Sequence, residues 1–339
     1  MIKEIIKKLS MGNNLSFEES QQIVESIERE EITEAQLGGI LLSLRVKGET
    51  PEEIAGFVSS LHEKAKKVMN KSPAIDVCGT GGDQAKTFNI STGVAFVLAS
   101  LGIPVAKHGN RAVSSRSGSI DVIEALGIKF SENPEKVAEE IDKIGLSFIF
   151  APYFHPVVGK AGKVRRELGI GTIFNLAGPM LNPANLQAQI LGVYSSNILK
   201  KLAESAKILG RKNILFYHGK EDGIDEISLS GPTEMAWVKE KDIDYFVFHP
   251  RDIGLKTYPL EEFVGGTPQE NAEILINIFK GKGTPAQTDI LSLNSAFGLL
   301  VLGKVKNVKE GFERIKEHIL EGKVYQFLER LRGMKEWVS

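Results

Sequence analysis

Ala74-Ile75-Asp76-Val77-Cys78-Gly79-Thr80-Gly81-Gly82-Asp83, with Asn89-Ile90-Ser91-Thr92-Gly93 shortly after it, is the stretch from which the fold is read. A short, mostly apolar run bounded by Pro73 and a glycine cluster reads as a buried strand, and the Asn-Ile-Ser-Thr-Gly segment opens a helix. Strand, glycine turn and helix form the unit of an α/β sheet. Three glycines let backbone N–H groups crowd around an anion, and a helix N-terminus adds donors and the favourable end of its dipole. That geometry suits phosphate. It is neither of the common nucleotide loops, because Gln84 stands where G-x-G-x-x-G has its last glycine and no Gly-Lys-Ser/Thr follows.

Downstream, strand candidates at Ile103 to Ala106, Leu146 to Phe150, Gln189 to Tyr194 and Ile214 to Tyr217 alternate with helical stretches. Leu101-Gly102-Ile103, Leu126-Gly127-Ile128 and Ile144-Gly145-Leu146 each place a glycine where a left-handed helix cap is needed, with a strand expected next. The alternation predicts a mostly parallel sheet flanked by helices. Tyr245 to Phe248 adds a strand, and Ala272 to Phe279, Leu291 to Leu302 and Phe312 to Leu331 read as helices.

Upstream the texture is different. Met1 to Ser10 is an amphipathic first helix, and Ser16/Glu19, Thr33/Gln36 and Thr50/Glu53 are capping-box pairs that each open another. The chain therefore divides into a small helical domain, 1–70, and a large α/β domain, 73–339, with the boundary at Asn70-Lys71-Ser72-Pro73. Ile40, Leu41, Leu44, Phe57 and Leu61 offer more apolar surface than short helices bury alone, which predicts a homodimer through this unit.

The 339 residues carry 42 Lys and Arg against 43 Asp and Glu, so a formal net charge of -1 leaves no global field for nucleic acid or an anionic membrane. Any anion site is local. One cysteine, Cys78, excludes a disulfide framework and fits a reducing, cytoplasmic compartment. The uncharged run Leu168 to Leu199 is long enough to cross a bilayer but is broken by glycines, prolines and asparagines, so no membrane partner is expected.

Three further segments carry chemistry. Lys107-His108-Gly109-Asn110-Arg111 and the hydroxyl-rich residues up to Ser119, which is placed to cap the next helix, form a second anion-binding region at a strand's C-terminal end. Phe150-Ala151-Pro152-Tyr153-Phe154-His155 leads into a basic helix with Arg165, where a guanidinium beside an aromatic turn suits a flat, acidic ring. Asp225-Glu226, in the loop after the Ile214 strand, suits Mg²⁺, a hard cation that takes a few carboxylates and leaves its other positions to water and phosphate.

Taken together, the Gly79–Asp83 loop, Asn89–Thr92, the Lys107–Ser119 block and Asp225-Glu226 resemble the anthranilate phosphoribosyltransferase family of tryptophan biosynthesis. The resemblance implies a helical dimerisation domain, joined by helices from about 165 to 185, and an α/β domain like that of the pyrimidine nucleoside phosphorylases. It implies 5-phosphoribosyl 1-diphosphate and anthranilate as substrates, with Mg²⁺. Carried over by residue, it assigns Gly79, Gly82, Asp83, Thr87, Asn89, Ile90, Ser91, Thr92, Lys107, Ser115 and Ser119 to the phosphoribosyl donor. Ser91, Asp225 and Glu226 would hold the metal, and Gly79, His108, Asn110, His155, Arg165 and Pro179 would meet anthranilate. The sequence departs from the family at Gly171, usually Arg, and at Ala177, usually a larger aliphatic.

The chemistry implied is mostly positioning and electrostatics, with Lys107, His108 and Arg165 as candidates for its active groups. Two rivals share the fold. A nucleoside phosphorylase would cleave thymidine or uridine with phosphate and without Mg²⁺, and a non-catalytic paralogue would bind single-stranded nucleic acid in a salt-dependent way.

Overall fold

A computed structural model describes residues 1–81, 85–111, 117–240 and 242–334. Four helices come first: α1 (Ile2–Ser10), α2 (Phe17–Glu28), α3 (Glu34–Lys47) and α4 (Pro51–Glu63). The predicted capping boxes of α2, α3 and α4 are all formed, each with the reciprocal hydrogen bonds. Glu53 does more than cap, since its buried carboxylate accepts from Leu15 N–H at 2.8 Å, Thr50 N–H at 2.8 Å and Lys47 Nζ at 2.9 Å. One side chain thus ties α4 to the entry of α2 and the end of α3.

The sheet then begins: β1 (Ala74–Gly79), α5 (Ile90–Ser100), β2 (Val105–Gly109), α6 (Ser119–Ala125), α7 (Pro134–Ile144) and β3 (Leu146–Phe150). Short helices α8 (Ala151–Phe154), α9 (Pro156–Lys160), α10 (Gly162–Leu168) and α11 (Ile173–Ala177) lead to β4 (Leu186–Gly192), α12 (Ser196–Ile208) and β5 (Ile214–Gly219). An antiparallel pair, β6 (Thr233–Val238) and β7 (Ile243–Phe248), and helices α13 (Pro268–Phe279), α14 (Pro285–Val301), α15 (Val308–Leu320) and α16 (Lys323–Gly333) complete the described chain.

The strand order is β3-β2-β1-β4-β5-β6-β7, parallel from β3 to β5 and antiparallel beyond. Alternate residues feed opposite faces, the period-two rule of a doubly covered sheet. Ile190, Leu215 and Tyr217 enter a core with α5 and the C-terminal helices. Leu191, Val193 and Phe216 enter a second core with α1 to α4, α11 and α12. That second core also takes Val157, Ala161, Val164 and the fully buried Ala177, while Gly171 is exposed and a Cβ there would meet nothing.

Several expectations need correction. The second strand starts at Val105 and runs to Gly109, so Lys107 and His108 are strand residues and not loop residues. No strand follows Gly127; its left-handed turn leads through a loop to α7. Phe312 to Leu331 is two helices, because Gly322 takes φ 69° and turns the chain. Ser119 is the first residue of α6, with Gly118 in the cap position. Strand β6 was not anticipated. Ile40, Leu41, Leu44, Phe57 and Leu61 are all buried inside the chain, so they are not available to a second copy. Among the described residues, no helix is long and apolar enough to cross a membrane.

Candidate active site

In a sheet ordered 3-2-1-4-5 the chain changes direction between β1 and β4, and the crevice outside the carboxyl ends of those strands is where open α/β sheets take ligands. The two strands end in register on a glycine pair, Gly79 opposite Gly192. Both glycines are required by close approach. A Cβ on Gly79 would stand 2.4 Å from Asp225 Oδ2, and one on Gly192 would stand 1.7 Å from the Asp225 carbonyl oxygen. The loop after β5 therefore folds back over bare strand ends, which brings Asp225 and Glu226 over β1.

Two hydrogen bonds fix these carboxylates. Gly81 N–H donates to Asp225 Oδ2 at 2.8 Å, and Ser91 N–H, in the first turn of α5, donates to Glu226 Oε1 at 3.1 Å. The loop itself is anchored by Asn294 of α14, which accepts from Ile227 N–H at 2.9 Å and donates to Ile227 C=O at 3.0 Å. Lys107 completes the group: its buried ammonium donates to Val77 C=O at 2.5 Å and to Ser91 Oγ at 3.2 Å. Burial pushes the Lys107 amine below its ordinary range, while neighbouring acidic groups, Asp76, Glu226 and Asp225 among them, pull it back.

Two carboxylates and a hydroxyl, all hard oxygen donors, converge here. The space left by the missing Gly79 side chain is where Asp225 Oδ2 sits. The donor chemistry of this set fits Mg²⁺, which Ser91, Asp225 and Glu226 would hold, with water or phosphate filling the rest.

A buried polar hub lies beneath the adjoining strands. Asp76, in the middle of β1, accepts from His108 N–H at 3.1 Å and from Gln189 Nε2 at 2.9 Å. Burial raises its carboxyl above the ordinary value. Gln189 Nε2 also donates to Pro179 C=O at 2.7 Å, and Asn182 Nδ2 donates to Ala106 C=O at 2.7 Å. The turn at Pro179 is thereby pinned to β4, and Asn182 after it to β2. The His108 and His155 rings meet through their Nε2 atoms at 3.1 Å, both buried. Burial lowers both, His155 to about 4, so the pair is neutral near pH 7.

Arg165 on α10 is half-buried, with its guanidinium 4.9 Å from the centre of the Phe174 ring. Burial lowers it, and among the described residues it makes no ion pair. Arg111, by contrast, is committed: it pairs with Asp121 at 3.0 Å and Glu124 at 2.6 Å and lies over Phe150. It is not the free cation that the loop composition implied. Asn110 is exposed at the end of β2, and Ser119 Oγ donates to the Asn110 carbonyl at 3.3 Å.

The structure thus brings Gly79, Ser91, Lys107, Asp225 and Glu226 together at one strand edge. Thr87, Asn89, Ile90 and Thr92 lie on the run into α5 and its first turn, Thr87 bridged to Val264. Gly82, Asp83 and Ser115 lie outside the described residues. Asp76, Gln189, Asn271 and Asn294 were missed. Asp76, Gln189 and Asn294 are each a polar residue inside a largely apolar strand or helix, and that mismatch is the signal that could have found them, whereas Asn271 sits in the polar first turn of α13 and gives no such signal.

Comparison with known proteins gives the family and the fold. A model of the glycosyl transferase family, a/b domain, matches residues 71–325, and one of that family's helical bundle domain matches residues 3–65. The chain is 69% identical over 333 residues to the anthranilate phosphoribosyltransferase of Dictyoglomus turgidum, covering 98% of this chain and 99% of the relative. Among solved structures it resembles the anthranilate phosphoribosyltransferase of Thermus thermophilus, with TM-score 0.89, 38% identity and 97% and 98% of the two chains covered. It also resembles the Saccharomyces cerevisiae enzyme in complex with PRPP and Mg, with TM-score 0.87, 28% identity and 97% and 96% covered.

Proposed function

The chain belongs to the anthranilate phosphoribosyltransferase family, and from that premise we infer that it transfers the phosphoribosyl group of 5-phosphoribosyl 1-diphosphate (PRPP) to the amine of anthranilate. The products are N-(5-phosphoribosyl)anthranilate and pyrophosphate, and the reaction belongs to tryptophan biosynthesis. The observation that carries the reading is the Asp225 carboxylate seated over Gly79 at the β1/β4 crevice, with the Lys107 ammonium alongside.

The anilinic nitrogen of anthranilate is neutral at pH 7, so no strong base is needed to make the nucleophile. Charge is what must be managed: positive at the anomeric carbon as its bond to oxygen breaks, negative on the departing diphosphate. Lys107 and the Gly81 and Ser91 N–H groups would face the negative side, and a site that holds both substrates removes association entropy from the chemical step. Mg²⁺, when bound by Ser91, Asp225 and Glu226, supplies Lewis-acid neutralisation of the diphosphate oxygens. Gly79, Thr87, Asn89, Ile90, Ser91, Thr92, Lys107 and Ser119, with Gly82, Asp83 and Ser115, are proposed to hold the donor. Arg165, free of ion pairs among the described residues, is proposed to receive the anthranilate carboxylate, with Asn110, His108, His155, Pro179 and Gly79 around the ring.

A homodimer is proposed through the outer face of α3. Ala35, Gly39, Leu42 and Val46 line that face at helical spacing, and Val46 is 79% exposed. A cytoplasmic location is supported by the single, buried cysteine.

Loss of anthranilate fluorescence on adding PRPP and Mg²⁺ tests the reaction. No loss with PRPP, together with phosphate-dependent cleavage of uridine, would replace it with the phosphorylase reading.

A further inference from the structure

Asn89 stands at the N-cap of α5, the position where an asparagine oxygen ordinarily accepts from the helix's own first-turn N–H groups. Here it makes no such bond. Its Oδ1 instead accepts from Asn271 Nδ2 at 2.8 Å and from Ser117 Oγ at 3.3 Å, while its Nδ2 donates to the Ser117 carbonyl at 3.3 Å. Turning the amide over would set Nδ2 against the Asn271 donor and Oδ1 against the Ser117 carbonyl, so the orientation is determined.

The determinant can be traced one step further. Asn271, in the first turn of α13 and only 2% exposed, accepts from Gly266 N–H at 2.7 Å through its own Oδ1. A backbone N–H has fixed polarity. It forces the Asn271 oxygen toward Gly266 and the Asn271 NH₂ toward Asn89.

The same turn grips the segment before α5. Phe88 N–H donates to Phe263 C=O at 2.8 Å, and Gly265 N–H donates to Lys86 C=O at 2.8 Å. A Cβ on Gly265 would lie 2.7 Å from Phe88 Cα and 2.4 Å from Asn271 Oδ1, so only glycine permits both contacts.

We propose that Asn271 is a positioning residue for the phosphoribosyl donor: it holds the Asn89 oxygen away from α5 and presents the second Nδ2–H of Asn89 to an acceptor oxygen, phosphate or hydroxyl, of the ligand. This rests on the reading of the site as the PRPP site. Specificity at this point is set from a helix distant in sequence, through a relay that starts at the Gly266 amide.

Asn271→Asp separates the two bonds, since it keeps an acceptor for Gly266 and replaces the donor facing Asn89 with an anion. Titration calorimetry with PRPP and Mg²⁺ is expected to show at least about tenfold weaker binding, with the KM for anthranilate within about twofold of wild type and the melting temperature within a few degrees. Lowering the pH until the introduced carboxylate is protonated restores an O–H donor. The ratio of variant to wild-type affinity should recover there, whereas that of Asn271→Ala should not. Wild-type PRPP affinity in Asn271→Asp overturns the proposal. So does a parallel loss of both substrates with a large fall in melting temperature, or a pH profile shared by the two variants. A wild-type chain that binds PRPP without transferring it overturns the transfer reading and leaves the affinity comparison to decide Asn271. A wild type that binds no PRPP overturns both.

Discussion

Gly79→Ala is the sharpest single test of the site, because the structure specifies what the new methyl group meets. Its Cβ would lie 2.4 Å from Asp225 Oδ2, and ordinary contact begins near 3.4 Å, so the carboxylate must move by about 1 Å. The backbone of Gly79 does not need positive φ, so alanine itself is tolerated. What is lost is the exposed bond from Gly81 N–H to Asp225, worth about 0.5 to 1.5 kcal/mol where water can replace it. The restriction of the unfolded chain returns about 0.4 to 1 kcal/mol. The net cost to stability is therefore at most about 1 kcal/mol, a few degrees of melting temperature. Function should suffer more, since a displacement of about 1 Å at a reacting centre costs on the order of a hundredfold in rate. The rate of anthranilate fluorescence loss, measured against Mg²⁺ at fixed PRPP, should fall by about that factor and its Mg²⁺ midpoint should rise. Gly192→Ala provides the contrast: its Cβ meets backbone at 1.7 Å, which nothing flexible can relieve, so overpacking of about 3 kcal/mol or more should show as lost stability first. A folded Gly79→Ala protein with the wild-type rate and Mg²⁺ midpoint would refute the assignment of Asp225.

Other expectations follow from the same geometry. Arg165→Ala should raise the KM for anthranilate at least about tenfold, the equivalent of ~1.4 kcal/mol, and leave that for PRPP nearly unchanged; because it breaks no ion pair among the described residues, melting temperature should hold within a few degrees. Equal, small effects on both constants would place the acceptor elsewhere. Burial holds His62 and His155 at about 4, below the ordinary 6.5, so the unfolded chain binds the extra protons and each should withdraw ~2 kcal/mol of stability between pH 7 and 5. Glu140, raised by burial to about 7, has the opposite sign: its contribution grows as pH falls from 7 toward 4.5 and offsets about one histidine. Thermal melts of Glu140→Gln should therefore show a steeper loss from pH 7 to 5 than wild type, and identical slopes would contradict this. The double substitution Leu42→Lys, Val46→Lys on the exposed face of α3 should halve the mass seen by light scattering without lowering the yield of folded protein; an unchanged dimer would move the interface off α3.

Local chemistry was legible in the sequence wherever one residue dictates its neighbours. The capping boxes at Ser16, Thr33 and Thr50 and the glycine turns at Gly102 and Gly145 formed as expected, because each is a contract between residues a few positions apart. The glycine loop and the Asp225-Glu226 pair could be picked out as candidates, but Gly81 and Ser91, which hold the two carboxylates, lie far from that pair in sequence. The misreadings lie where distant partners decide. Lys107 and His108 read as loop residues because charge argues against a buried strand, yet Val77 C=O and Asp76 lie across β1 to receive them. Arg111 looked free until α6 brought Asp121 and Glu124 beside it. Ile40 and Leu44 looked surplus until α9 to α11 and the sheet covered them.

The arrangement also explains why a carboxylate pair and a phosphate loop can share one strand edge. Gly81 and Ser91 N–H groups are the donors that an anion at this edge would seek, and in the free protein Asp225 and Glu226 already occupy them. A diphosphate arriving alone meets like charge and donors that are spoken for. If Asp225 and Glu226 hold the cation as proposed, they would turn toward it and free the Gly81 and Ser91 N–H groups for phosphate oxygens. On the proposed assignment the two acidic residues would act as placeholders as well as ligands. They hold these donors, the exposed Gly81 N–H and the half-buried Ser91 N–H, until an anion takes their place. The Mg²⁺ midpoint in the Gly79→Ala titration reads this exchange directly, because that substitution loosens one placeholder without removing its charge.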